Sequence, residues 1–211
     1  MKRETDLKAL YFGTPVVLIS SLNADGTTNL APMSSAWWLG RTAVLGMGSA
    51  SQTVRNLRER SDCVLNLVDA SMVGAVDRLA LLTGRPDVPA SKQARGYTYE
   101  TDKFGASGLS PVAVPESDVQ AVVESPVHLS GVVQEMHAVQ GEGAGLLAIE
   151  VRVLGIRVEQ ELLLGDASTY IDPLRWDPLI MKFTEYFAGG SPVHPSSLAR
   201  GWGMPPMRVA G

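Results

Sequence analysis

The sequence is poor in the residues that several common chemistries require. Cys63 is the one cysteine in 211 residues, so no internal disulfide can form and a reducing, cytoplasmic setting is expected. Because Cys63 lies inside a β-prone apolar run, it reads as a buried, inert thiol rather than a nucleophile. The three histidines, His128, His137 and His194, match no compact ligand spacing, and no metal site is predicted. Basic residues number 18 against 22 acidic, for a net charge of −4. With no basic stripe interleaved with aromatics, nucleic acid is not an expected partner. Long apolar runs are missing too: Pro15–Ser20 and Leu146–Val153 fall far short of the roughly 20 residues that cross a bilayer. The opening stretch MKRETDLKAL has no apolar segment of the secretory kind. A soluble protein with no membrane partner is expected.

What the chain does have is β-prone sequence in short pieces. Thr14–Ser21 is a Val/Ile-rich run, Asn23-Ala24-Asp25-Gly26 is a turn signal, and Thr28–Met33 reads as the returning strand. Pro32 cannot donate to a ladder, which puts that strand at an edge or a bulge. Further strands are expected at Thr42–Met47, Cys63–Val68, Ala121–Glu124, Val127–Glu135 and Leu146–Val153, with Gly155 marking a bulge before Ile156–Val158. Helical periodicity is confined to about Gln52–Arg60 and Met72–Leu82, where Gly84 follows as a stop. The stretch from Arg85 to Pro115 reads as a long loop, functional or mobile. The sum is a mainly β, α+β chain with a closing sheet: one domain over 1–187 and a Gly/Pro-rich arm or tail over 188–211.

Two constellations are candidates for chemistry. Around Ser49-Ala50-Ser51-Gln52 a capping-box pattern opens the first helix, and Ser49, Ser51, Thr53 and Asn56 gather polar side chains there, with Arg55 beside them. A helix amino terminus ringed by hydroxyls suits a phosphate. An N-capped helix with an exposed polar face accounts for the same spacing. The second constellation is Asn29-Leu30-Ala31-Pro32-Met33-Ser34, where small residues and a proline interrupt a strand. A flat ring could lie there against free backbone groups, and an irregular edge strand packed by Trp37 and Trp38 accounts for the same residues without one. Lys103 and Phe104 in the long loop serve either to cover a ligand or to anchor the loop. Trp176 and Tyr186 are candidates for the pocket, a subunit contact or the core.

Five segments in order, TPVVLISSLNADGTTNLAPMSSAWWLG, GSASQTVRNLRERSDCVLNLV, DKFGASGL, VESPVHLSGVV and RWDPLIMKFTEYF, resemble the flavin-reductase-like family with its FMN-binding split β-barrel. The resemblance covers about residues 10–187. It implies a homodimer that binds FMN, with FAD as a second possibility, and that takes hydride from NADH or NADPH. It also implies an oxidoreductase that either supplies reduced flavin, in some cases to a flavin-dependent monooxygenase, or keeps its flavin and acts on an organic substrate. A non-catalytic flavin-binding dimer is the third implication. By position, Asn29, Ala31, Pro32, Met33 and Ser34 would contact the ring, and Ser49, Ala50, Ser51, Thr53 and Asn56 would hold the phosphate. Two departures stand out. The family's Gly-Asp-His motif is replaced by Leu147-Ala148-Ile149-Glu150-Val151, and Gln52 stands where the phosphate turn often carries a basic residue.

Overall fold

The structure, a computed structural model, describes all residues except 1, 8, 116, 142, 166–168, 195, 202, 203 and 205–211. In chain order its elements are β1 (Phe12–Pro15), β2 (Val17–Leu22), β3 (Thr28–Met33), β4 (Ala36–Leu39), β5 (Thr42–Gly48), α1 (Gln52–Glu59), β6 (Asp62–Leu67), α2 (Val73–Leu79) and β7 (Leu82–Thr83). There follow α3 (Ala90–Gln93), β8 (Thr98–Tyr99), α4 (Lys103–Ser107), β9 (Pro111–Val114), β10 (Ser117–Val122), β11 (Val127–Val139), β12 (Leu146–Val158), β13 (Ile180–Lys182), β14 (Glu185–Phe187) and α5 (Ser197–Gly201). Parts of the expected tail, 195, 202–203 and 205–211, lie outside the described residues.

Seven strands form one antiparallel sheet in the order β3-β2-β6-β11-β12-β5-β4. The chain leaves the sheet at one edge, β3, and re-enters at the opposite edge, β4, through Ser34 and Ser35 alone. At roughly 3.5 Å per residue, that connection forces the two edges together, so the sheet must curl into a barrel. The Gly46 N–H of β5 donates to the Ser35 carbonyl at 2.7 Å, carrying the β4–β5 ladder one residue back into that connection. β3 and β4 themselves form no ladder, and the barrel is split.

Patterning explains which side faces in. β2 is buried at every position: Val17 and Ile19 join Leu45, Leu65, Val127, Ile149 and Val151 in the barrel interior, whereas Leu18 packs outside with Leu30, Val76 and Leu79 of α2. A strand covered on both faces loses polar alternation and reads as a continuous apolar run. Val54 and Leu57 of α1 belong to the interior cluster, so this helix lies along the inner side rather than outside.

Several sequence expectations need correction. The run expected as one strand over Thr14–Ser21 is two, because β1 pairs with β13 whereas β2 pairs with β3 and β6. The switch falls at Val16, whose N–H donates to the Leu179 carbonyl at 2.8 Å. β4 was not expected, since its Ala-Trp-Trp-Leu sequence carries no alternation. The expected loop over 85–115 holds α3, α4, β8 and β9, elements of two to five residues that are too short to build a period. Pro32 does sit on an edge strand, and the ladder between β11 and β12 skips Leu154 beside Gly155, which is the expected bulge.

Candidate functional site

The amino end of α1 is built by local chemistry. Ser51, not Ser49, is the N-cap: its hydroxyl accepts from the Val54 N–H at 3.2 Å. Ser49 is held instead by its own backbone, which donates to the Gly145 carbonyl at 2.8 Å. The first helical amides, Gln52 and Thr53, have no carbonyl one turn behind them within the helix, so they carry the partial positive charge of its terminus.

The polar residues of this turn divide between two faces. Thr53 and Asn56 are buried. The Asn56 amide donates to Ser21 Oγ at 3.0 Å and to Asn23 Oδ1 at 2.9 Å, and it accepts from Gln52 Nε2 at 2.8 Å. Its donors are spent on fastening α1 to β2 and the turn after it. Thr53 Oγ1 accepts from Asn29 Nδ2 at 3.3 Å and keeps its own proton to donate. Ser49 and Ser51 are half-buried and Ala50 is exposed, so these three face outward. Asn29 thereby joins the two predicted constellations: it belongs to β3 and bonds to α1.

Arg85 was missed by sequence reasoning. Its side chain is 12% exposed, its Nη1 donates to the Ala50 carbonyl at 2.8 Å, and it is paired with Asp87. That hydrogen bond holds the Asp87 carboxyl below its usual range. Arg55, the cation singled out from the sequence, is exposed and reaches Asp87 at 3.8 Å. The local signal was Gly84-Arg85-Pro86. A Cβ on Gly84 would stand 2.8 Å from Asn29 Oδ1 and 3.0 Å from the Gln52 side chain, so glycine is what lets this segment press against α1 and deliver Arg85 to its terminus.

Ala31, Pro32, Met33 and Ser34 are half-buried on the open edge of β3. An edge strand leaves every second set of N–H and C=O groups unpaired, and these point into the seam beside α1. The resulting donor set fits an organic phosphate carrying a flat polar ring: helix amides, Ser49 and Ser51 hydroxyls and the Arg85 guanidinium at one end, free edge-strand groups at the other.

Lys103 is a second unexpected feature. Instead of standing on an exposed loop it opens α4, which packs on β3 and α2, and it is buried to 2% exposure. Burial pushes its ammonium down to about 8, against the pull of Glu100. It lines a cavity shared with Thr28, Phe104 and Gln120. Phe104 packs into the outer core with Tyr186, and Trp176 against the inner one. Cys63 is buried as expected, and burial raises its thiol to about 12. In the strand stretch that lacks the family histidine, Glu150 Oε1 accepts from Nε2 of a histidine of the neighbouring strand, His137, at 2.9 Å. No cluster of His, Cys, Asp or Glu able to hold a metal occurs among the described residues. None of the helices formed by these residues is long and apolar enough to cross a membrane.

A curled seven-stranded antiparallel sheet, open at one seam and carrying a short helix against its interior, defines an α+β split barrel of the flavin-reductase kind. Residues 9–187 match the model of the flavin reductase like domain, and the chain belongs to that family. It is 32% identical over 191 residues to an uncharacterized protein, YdfE, of Bacillus subtilis, covering 90% of this chain and 91% of that one. Among solved structures it resembles flavoredoxin of Desulfovibrio vulgaris (TM-score 0.76, 19% identity, 95% of this chain and 100% of that one). It also resembles nitrilotriacetate monooxygenase component B from Bacillus cereus (TM-score 0.70, 18% identity, 87% of each chain). At these identities the structural likeness establishes the fold, and the family match establishes a flavin-reductase type of oxidoreductase.

Proposed function

We propose that the protein is an FMN-dependent NAD(P)H oxidoreductase that receives hydride from NADH or NADPH and passes reducing equivalents on as reduced flavin. The observation that carries this reading is the meeting of the α1 terminus, Arg85 and the open edge of β3 in one seam. Bound FMN would supply the redox chemistry at its ring. The α1 amides, Ser49 and Ser51 would bind the phosphate and Arg85 would neutralise it, while Thr53 and Asn56 fix the helix at the height where this can happen. The edge groups of Ala31–Ser34 would orient the ring. FAD is the alternative cofactor. A homodimer is supported by Trp37 and Leu39, 54% and 73% exposed on β4, which leave an apolar edge for a second copy to cover. Release of reduced flavin to a flavin-dependent monooxygenase follows if the flavin exchanges, a role in keeping with the component B that shares the fold.

A second reading keeps FMN bound and makes the protein act on an organic substrate of its own; the absence of histidine from Leu147–Val151 favours it. One experiment separates them. Mixed anaerobically with FMN and NADH or NADPH, the protein should bleach the flavin rapidly under the first reading, and slowly until substrate is added under the second. Failure to bind FMN overturns both. Arg85→Met should weaken FMN roughly 10- to 100-fold through a lost charge-assisted bond and leave riboflavin affinity unchanged. Equal affinity of the parent protein for FMN and riboflavin would refute the phosphate assignment.

A further inference from the structure

Arg85 and Asp87 are unequal partners. The Arg85 side chain is 12% exposed, is fastened to the Ala50 carbonyl through Nη1, and reaches the α1 terminus because Gly84 lies against Asn29 and Gln52. The Asp87 side chain is 61% exposed, and among the described residues Arg85 is the only other residue hydrogen-bonded to its carboxylate. The arginine therefore keeps its place without the carboxylate, whereas the carboxylate is held there by the arginine. The grip is side-on: Nε donates to Oδ1 at 3.2 Å, and Nη2 donates to Oδ2. Together with the Ala50 bond it takes up three of the five guanidinium N–H groups.

Asp87 also lies 3.8 Å from the Arg55 guanidinium on α1, so its negative charge sits between two cations beside the helix. Lys92 adds to the positive charge there: burial, then Arg95 and Arg85, hold its ammonium below its usual range. A helix amino terminus with a guanidinium beside it attracts a phosphate monoester, and Asp87 meets the same guanidinium with one negative charge where a phosphate brings about two. Tethered two residues from Arg85, the carboxylate is present at a high effective concentration at all times.

We propose that Asp87 is an internal competitor for the flavin phosphate: it holds the side-on face of Arg85 and swings into solvent when the phosphate takes that face, which keeps FMN exchangeable. The inference rests on the phosphate reading given under Proposed function, and it favours release of the flavin over permanent retention. The test is fluorescence titration of the full-length protein with FMN and with riboflavin at fixed ionic strength, with FMN release followed by stopped flow. Asp87→Asn, which keeps the shape and removes the charge, and Asp87→Ala should each bind FMN roughly three- to tenfold more tightly and release it more slowly, with riboflavin affinity unchanged. In an Arg85→Met background Asp87→Asn should leave FMN affinity where it was, because the contested group is gone. Unchanged or weakened FMN binding in the Asp87 variants overturns the inference, since the carboxylate would then be idle or would position Arg85. Tightening that persists in the Arg85→Met background, or that extends equally to riboflavin, overturns it as well. If the parent protein shows no preference for FMN over riboflavin, the phosphate reading falls and takes this inference with it. A preserved preference without tightening in the Asp87 variants sinks the inference alone.

Discussion

Replacing Lys103 with methionine should stabilise the protein near neutral pH, and the gain should fade in alkali. Methionine matches the length of the lysine stem and removes the charge from a site that is 2% exposed. In the folded chain burial lowers the ammonium from 10.5 to about 8. A shift of that size corresponds to about 3 kcal/mol at 1.36 kcal/mol per unit. The sign follows from proton binding. Between pH 8 and 10.5 the unfolded chain holds the Lys103 proton and the folded one does not, so stability rises with pH across that window. Below pH 8 both states are protonated and the folded state bears the whole cost. The variant, which has no proton to lose, escapes it. Urea unfolding of the ligand-free proteins should place Lys103→Met about 3 kcal/mol above the parent at pH 7, with roughly 2 kcal/mol of that gap gone by pH 9.5. A gap that does not change with pH, or a variant less stable than the parent at pH 7, would refute the reasoning: the ammonium would then have a partner that burial and geometry do not reveal.

Three further outcomes follow from the α1 region and the core. Ser51→Ala removes the N-cap bond to Val54 and should cost about 1 kcal/mol in urea unfolding, together with a several-fold loss of FMN affinity measured by fluorescence titration. Asn56→Ala deletes the bonds to Ser21 and Asn23 and should cost about 2 kcal/mol; with its donors spent on those bonds, any loss of FMN affinity should be matched for riboflavin. Cys63, with its thiol raised to about 12 by burial, should resist iodoacetamide at pH 8 in the native protein and react once unfolded, as read by intact mass.

The barrel was legible where one face of a strand is buried and a turn follows it, as in the Val17–Leu22, Asn23–Gly26 and Thr28–Met33 succession. It was illegible where the chain changes partners without changing composition. Nothing in Thr14-Pro15-Val16-Val17 distinguishes a residue bonded to β13 from one bonded to β3, because both environments want the same β-prone, apolar side chains. The second strand edge, Ala36–Leu39, was hidden for a related reason: an edge at a barrel seam is covered on one side only, and four residues are too few to fix a period.

The candidate site divides along the same line, between what spacing along a helix determines and what contact across the fold determines. Ser51, Thr53 and Asn56 are close in sequence, and as a cluster they read as one polar patch. On a helix at about 100° per residue they cannot share a face: the N-cap and Ser49 look out, whereas Thr53 and Asn56 fall beside Val54 and Leu57 on the side that packs. Helical spacing by itself therefore suffices to separate helix-fastening residues from outward-facing ones. Arg85 was beyond its reach, because what qualifies that cation is not its neighbours in sequence but a glycine that lets its loop lie against Asn29 and Gln52. The proposed phosphate site would have its donors on α1 and its charge on a segment more than 30 residues later. The charge could then be changed independently of the helix, so Arg85→Met should separate FMN from riboflavin and Asn56→Ala should not.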